Sequence, residues 1–77
     1  MMRREDNYVL KKQFVVENIT LLREMHGLSQ ADFAKKLEVS KQLVSAWERG
    51  LYCPTVRMMV LMMNVFKVDA GYFFEER

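Results

Sequence analysis

Seventy-seven residues with a net charge of +2 are expected to make one small domain, residues 1–77, with a core only just sufficient for independent folding and no room for a second domain. Acids and bases nearly balance, so charge alone does not argue for nucleic acid, and no apolar run approaches the roughly 20 residues of a membrane span. A single Cys and a single His exclude an internal disulfide and a structural zinc site, so no metal or cofactor is expected.

The amino-terminal Met-Met-Arg-Arg-Glu-Asp is polar and unlike a signal peptide, and a soluble, cytoplasmic protein is the expectation. Residues 1–6 read as frayed, with Asp6 a candidate N-cap. From Asn7 to His26 there is neither Pro nor Gly, and Val9, Leu10, Phe14, Val15, Ile19, Leu22 and Met25 fall close to helical spacing. The spacing predicts a first helix, with a weak point near Gln13–Val16 where β-branched and aromatic side chains help little. Gly27 ends it, with His26 a residue of the helix end.

Ser29 caps a second helix, supported by Asp32 three residues on, which runs to Leu37 and buries Phe33, Ala34 and Leu37. Glu38 and Val39 form a turn. Ser40 caps a third helix that continues to about Glu48 or Arg49, where Gly50 stops it. Residues 29–49 thus outline a helix-turn-helix. Leu51–Cys53 read as loop, with Cys53 a loop thiol, and Pro54 leads into a fourth helix capped by Thr55 and running from Val56 to about Lys67. Asp69 caps a short fifth helix through Tyr72, Phe73 and Phe74. The expected fold is all-α, with five helices, an N-terminally extended first helix (residues 1–15) and no strands.

With Val44 at the centre of the buried face and about 100° per residue, Ser40, Trp47 and Glu48 point inward. Gln42, Ser45, Ala46 and Arg49 point outward, with Lys41 and Leu43 on the flanks. Such a compact polar face suits entry into a major groove, although any surface helix is polar on its wet side. An inward Glu48 without a partner would cost several kcal/mol. Arg23, late in the first helix, is the partner expected for it.

In the fourth helix, Val56, Met59, Met62, Met63 and Phe66 recur at the spacing of one buried stripe. Met58, Leu61 and Val65 are surplus apolar residues on another face. Either the first or fifth helix covers them, or they form a subunit interface to which Tyr72 and Phe74 add.

The ordered set Arg23, Gly27-Leu28-Ser29-Gln30, Phe33-Ala34, Leu37, Val39-Ser40, Val44-Ser45, Trp47-Glu48-Arg49-Gly50, Pro54, Val68-Asp69 and Tyr72-Phe73 resembles the lambda-repressor-like (XRE-type) helix-turn-helix family of transcription regulators. The resemblance spans about 16–74. It implies that the third helix, about 40–49, is the recognition helix and that Lys41, Gln42, Leu43, Ser45 and Ala46 read bases. It also implies that Gln30 and Ser29 bind DNA phosphate at the start of the second helix and that Arg49 sits at the backbone. Family members commonly dimerise through their C-terminal region, which would place two recognition helices roughly 34 Å apart on double-stranded DNA. This sequence departs from the family at Glu38, where Gly is frequent, and at Leu51-Tyr52-Cys53, where a basic, polar loop is frequent.

The function expected is therefore a sequence-specific DNA-binding regulator, a repressor acting as a homodimer. The alternative is a protein-interaction role such as a toxin-neutralising antitoxin, with residues 1–15 or the aromatic C-terminus holding the toxin. An enzyme is not expected, because the lone His, lone Cys and scattered carboxylates form no acid-base pair or nucleophile constellation.

Overall fold

The computed structural model describes residues 4–74, with side chains described over 15–73. The expectations for residues 1–3 and for the side chains of Val9, Leu10, Phe14 and Phe74 lie outside the described residues. Four α-helices follow one another, α1 Arg4–Met25, α2 Gln30–Leu37, α3 Lys41–Glu48 and α4 Val56–Phe66, before a 3-10 helix at Ala70–Phe74. No strand occurs among the described residues.

Three local expectations are corrected. The first helix is unbroken through Gln13–Val16, because burial of Val15, Ile19 and Leu22 outweighs weak local propensity. Asp6 lies inside α1 rather than at its cap position. The expected fifth α-helix is instead a 3-10 helix. Asp69 does cap it, its Oδ1 accepting from Tyr72 N at 3.2 Å, while the backbone carbonyl of Asp69 accepts from the same N–H at 3.1 Å, the tighter i to i+3 pattern.

The starts of the other helices are side-chain caps. Ser29 Oγ accepts from Asp32 N at 3.0 Å, Ser40 Oγ from Leu43 N at 3.1 Å and Thr55 Oγ1 from Met58 N at 3.2 Å. Their ends share one device. Beyond each α-helix the chain enters the left-handed region, at Gly27, Glu38, Gly50 and Lys67. The next amide then turns back to a carbonyl five residues earlier: Leu28 to Arg23, Val39 to Ala34, Leu51 to Ala46 and Val68 to Met63.

Gly27 and Gly50 enter this region freely, but Glu38, at φ 58° and ψ 40°, does so with a β-carbon. That conformation costs an L-residue about 1–2 kcal/mol, of which glycine's larger unfolded-state freedom would give back about 0.5–1 kcal/mol. Glu38→Gly should therefore stabilise the domain by about 0.5–1 kcal/mol and raise Tm by roughly 3–6 °C. A thermal melt with Tm unchanged or lowered would contradict this account of the turn.

The core joins Val15, Ile19 and Leu22 of α1, Phe33, Ala34 and Leu37 of α2, Val44 and Trp47 of α3, Met62 and Phe66 of α4, and Phe73 of the 3-10 helix. Phe33 and Phe66 stack at 5.0 Å, and the His26 ring meets the edge of Phe66 at 4.9 Å. Helix α3 packs on both α1 and α2, while the 3-10 helix and α4 close the opposite side. The recognition candidate is thus held from behind, with its outer face left open.

Two expected core residues lie outside it. Met25 is 68% exposed and accepts, through sulfur, from the Tyr72 hydroxyl at 3.8 Å. Val56, the first residue of α4, is 74% exposed, while Met62 and Phe66 are the residues that the helix buries.

Candidate nucleic-acid interface

At the rear of the helix-turn-helix stands a polar node. Arg23 Nε donates to Glu48 Oε2 at 2.7 Å and its NH2 group donates to Oε1 at 3.0 Å, a two-pronged pair between the ends of α1 and α3. A third Arg23 nitrogen donates to the Leu28 carbonyl at 2.9 Å, so the same side chain also fixes the link into α2. The pair is mostly withdrawn from water, with side chains 17% and 9% exposed. The hydrogen bond to Glu48 holds the Arg23 guanidinium above its already high pKa range, against the opposing effect of burial.

The node has a further member. Gln30, the first residue of α2, is half-buried and donates from Nε2 to Glu48 Oε1 at 3.3 Å. Three helices therefore meet at one carboxylate. No spacing in the chain relates residue 30 to residue 48. The contact arises only once α2 and α3 are packed, and sequence reasoning passed over it.

Forward of the node, Lys41 and Gln42 occupy the first turn of α3 and are exposed. Ser45 is half-buried one turn on, and Leu43 is half-buried with its side chain packed against the core. Arg49 is exposed and lies back along its own helix, donating from Nε to the Ser45 carbonyl at 3.4 Å. Ser29 is exposed; its oxygen caps α2, leaving the hydroxyl proton to give.

Ala46 is a correction. Expected on the outward face, it is 6% exposed. So small and covered a side chain offers almost no surface to a base.

The surplus apolar residues of α4 divide. Met58, Leu61 and Tyr72 are partly buried and pack against the core of their own chain, while Val65 is 38% exposed. Sequence reasoning missed Val60, 43% exposed, and with Leu51, Tyr52 and Val56 it extends apolar surface along the loop and the start of α4. Among the described residues, no helix is long and apolar enough to cross a membrane, and no group of three or more His, Cys, Asp or Glu could hold a metal ion.

Comparison with known families matches residues 19–73 to the helix-turn-helix model HTH_3. The chain belongs to the XRE-type helix-turn-helix family. Among relatives of this XRE-type domain, an uncharacterised HTH-type transcriptional regulator of Methanocaldococcus jannaschii is 36% identical over 56 residues, covering 70% of this chain and 85% of the relative. The HTH-type transcriptional regulator RamB of Mycobacterium tuberculosis is 33% identical over 64 residues, covering 83% of this chain but 14% of RamB. No solved structure matches this XRE-type chain significantly. The family match takes in the node, all of α2 and α3, and most of the 3-10 helix.

Proposed function

We propose that this protein is a sequence-specific DNA-binding transcription regulator, a repressor, which inserts α3 into the major groove as one half of a homodimer. The observation that carries the reading is the exposure of Lys41 and Gln42 on the first turn of α3, at the front of a helix-turn-helix fixed from behind by Arg23 and Glu48. An amide and an ammonium there have the chemistry to bond adenine, guanine or a phosphate, and Leu43 and Ser45 flank them. Gln30, Ser29 and Arg49 supply contacts to the phosphate backbone. A cytoplasmic location follows from this role. Residues 4–18, which precede the family match, extend α1 beyond the shared domain.

Selection from a random DNA library tests this directly. The expected product is a near-palindromic motif whose half-sites lie about one helical turn, roughly 34 Å, apart. No enriched sequence would overturn the reading.

Val65 is the member of the proposed dimer surface, Met58, Leu61, Val65, Tyr72 and Phe74, whose described side chain is most open. A charge placed at such an interface leaves a desolvated, unpaired group. Val65→Asp should weaken self-association by about tenfold or more in sedimentation equilibrium, with Tm little changed. A dimer constant equal to that of the wild type would remove Val65 from the interface.

The second reading, a toxin-neutralising antitoxin, is favoured by Leu51, Tyr52 and Val56, which are 57%, 64% and 74% exposed and offer apolar surface to a protein partner. Stable copurification with the product of a neighbouring gene, abolished by Tyr52→Asp, would support it.

A further inference from the structure

We infer that Glu48 is a positioning residue for DNA binding: held by Arg23, it fixes where the Gln30 carboxamide nitrogen sits, with one of its two N–H groups left to donate. The inference rests on the proposed contact between Gln30 and a DNA phosphate.

A glutamine carboxamide has a donating end and an accepting end of nearly the same shape, so packing alone distinguishes them poorly. A phosphate oxygen only accepts, and one of the two orientations is therefore unproductive. The Glu48 carboxylate also only accepts. With Gln30 Nε2 at 3.3 Å from Oε1, the flipped amide would set oxygen against oxygen, and the carboxylate rejects it. The amide nitrogen carries two hydrogens. One is taken by Glu48, and the other is left to donate to the proposed phosphate.

A bare carboxylate at this place would repel the phosphate it helps to engage. Arg23 removes that conflict. Its two bonds to Glu48, at 2.7 and 3.0 Å, leave the pair neutral as a unit. The Arg23 bond to the Leu28 carbonyl also holds the pair at the entrance to α2. The node thus keeps the orienting power of a carboxylate without presenting its charge to DNA.

The experiment uses the full chain and a short mixed-sequence DNA duplex at low salt, because a phosphate contact does not depend on sequence. Four proteins are compared by fluorescence anisotropy: wild type, Gln30→Ala, the double variant Arg23→Met with Glu48→Met, and the triple variant. Exchanging both charges for methionine leaves net charge unchanged, and replacing both members of a buried pair with apolar groups is commonly tolerated. Gln30→Ala should weaken binding about tenfold without altering the salt dependence, since a neutral side chain displaces no counterion. The double variant should lose about as much, and adding Gln30→Ala to it should cost nothing more. Wild-type affinity in the double variant, or an undiminished Gln30→Ala loss within it, would overturn the inference.

Glu48→Gln serves if the methionine pair does not fold. Oε1 accepts from both Arg23 and Gln30, and a carboxamide can present either its oxygen or an N–H at that position, so the flipped Gln30 is no longer rejected. Binding should weaken although a negative charge has been removed; equal or tighter binding overturns the proposal. A wild type with no affinity for the duplex would overturn the DNA-binding function itself, an outcome distinct from a wild type that binds and variants that bind equally.

Discussion

Arg23→Ala should lower the unfolding free energy by about 2–4 kcal/mol, which for a domain of this size is a fall in Tm of roughly 10–25 °C. The variant strands the Glu48 carboxylate, whose side chain is 9% exposed, and removes the donor to the Leu28 carbonyl at the junction of α1 and α2. Gln30 Nε2, at 3.3 Å, remains as a single neutral donor and cannot replace a charged fork at 2.7 and 3.0 Å. Arg23→Lys should recover only part of the loss, because an ammonium does not reproduce the planar two-pronged geometry. The Arg23 guanidinium is held above its ordinary pKa by the hydrogen bond to Glu48. A raised pKa contributes stability below the unfolded value and loses it only above the folded one, so the arginine's contribution is fully present at neutral pH. Exposed Arg57 provides the control, since Arg57→Ala should stay within about 0.5 kcal/mol of wild type. A Tm for Arg23→Ala no lower than that of Arg57→Ala would remove the pair as the tie between α1 and α3.

The features legible in the sequence were those decided within a few residues. Ser29, Ser40, Thr55 and Asp69 cap because a short oxygen-bearing side chain reaches an amide three residues on, and Gly27 and Gly50 end helices because they enter the left-handed region without penalty. The need of Glu48 for a partner was legible too, since helical geometry turned it inward and an unpaired inward carboxylate is costly. The α1 continuity through Val15 was less legible, because it depends on burial against α3 and the 3-10 helix rather than on propensity.

Residues whose surroundings come from elsewhere in the chain were misplaced. Ala46 points away from Val44 on a helical wheel, but a wheel contains only one helix, and the burial of Ala46 comes from outside it. Val56 sits at the right angle on α4 but at its very first position, where the side chain stays 74% exposed. Met58 and Leu61 were surplus only against one narrow stripe. The observed core also takes in a wider arc of α4, with Met58, Met59, Leu61 and Met63 at its margin. The Gln30–Glu48 contact had no sequence signal at all, because eighteen positions separate its members and neither residue type selects the other.

Lys41→Ala combined with Gln42→Ala should abolish discrimination between the operator and random DNA. Each well-formed side-chain contact to a base edge is worth about 1–3 kcal/mol of preference, so losing two should reduce the specificity ratio by roughly 30-fold to 20,000-fold. Both side chains are exposed on the first turn of α3, and Ser40 rather than either of them caps that helix. Their removal should therefore leave the unfolding free energy within about 0.5 kcal/mol of wild type, which separates reading from folding. Leu43 is a poorer probe, because it packs against the core and its truncation would change stability and base contact together. Affinity for random duplex should fall only a few-fold, from the loss of one positive charge. If Lys41 meets a phosphate, the salt slope should shrink by about one counterion; if it meets guanine, the slope should hold and discrimination at one base pair should relax. Equal losses on operator and random DNA would refute base reading by these two residues, and would move recognition to Ser45 and Arg49 further along α3 or to the shape of the duplex.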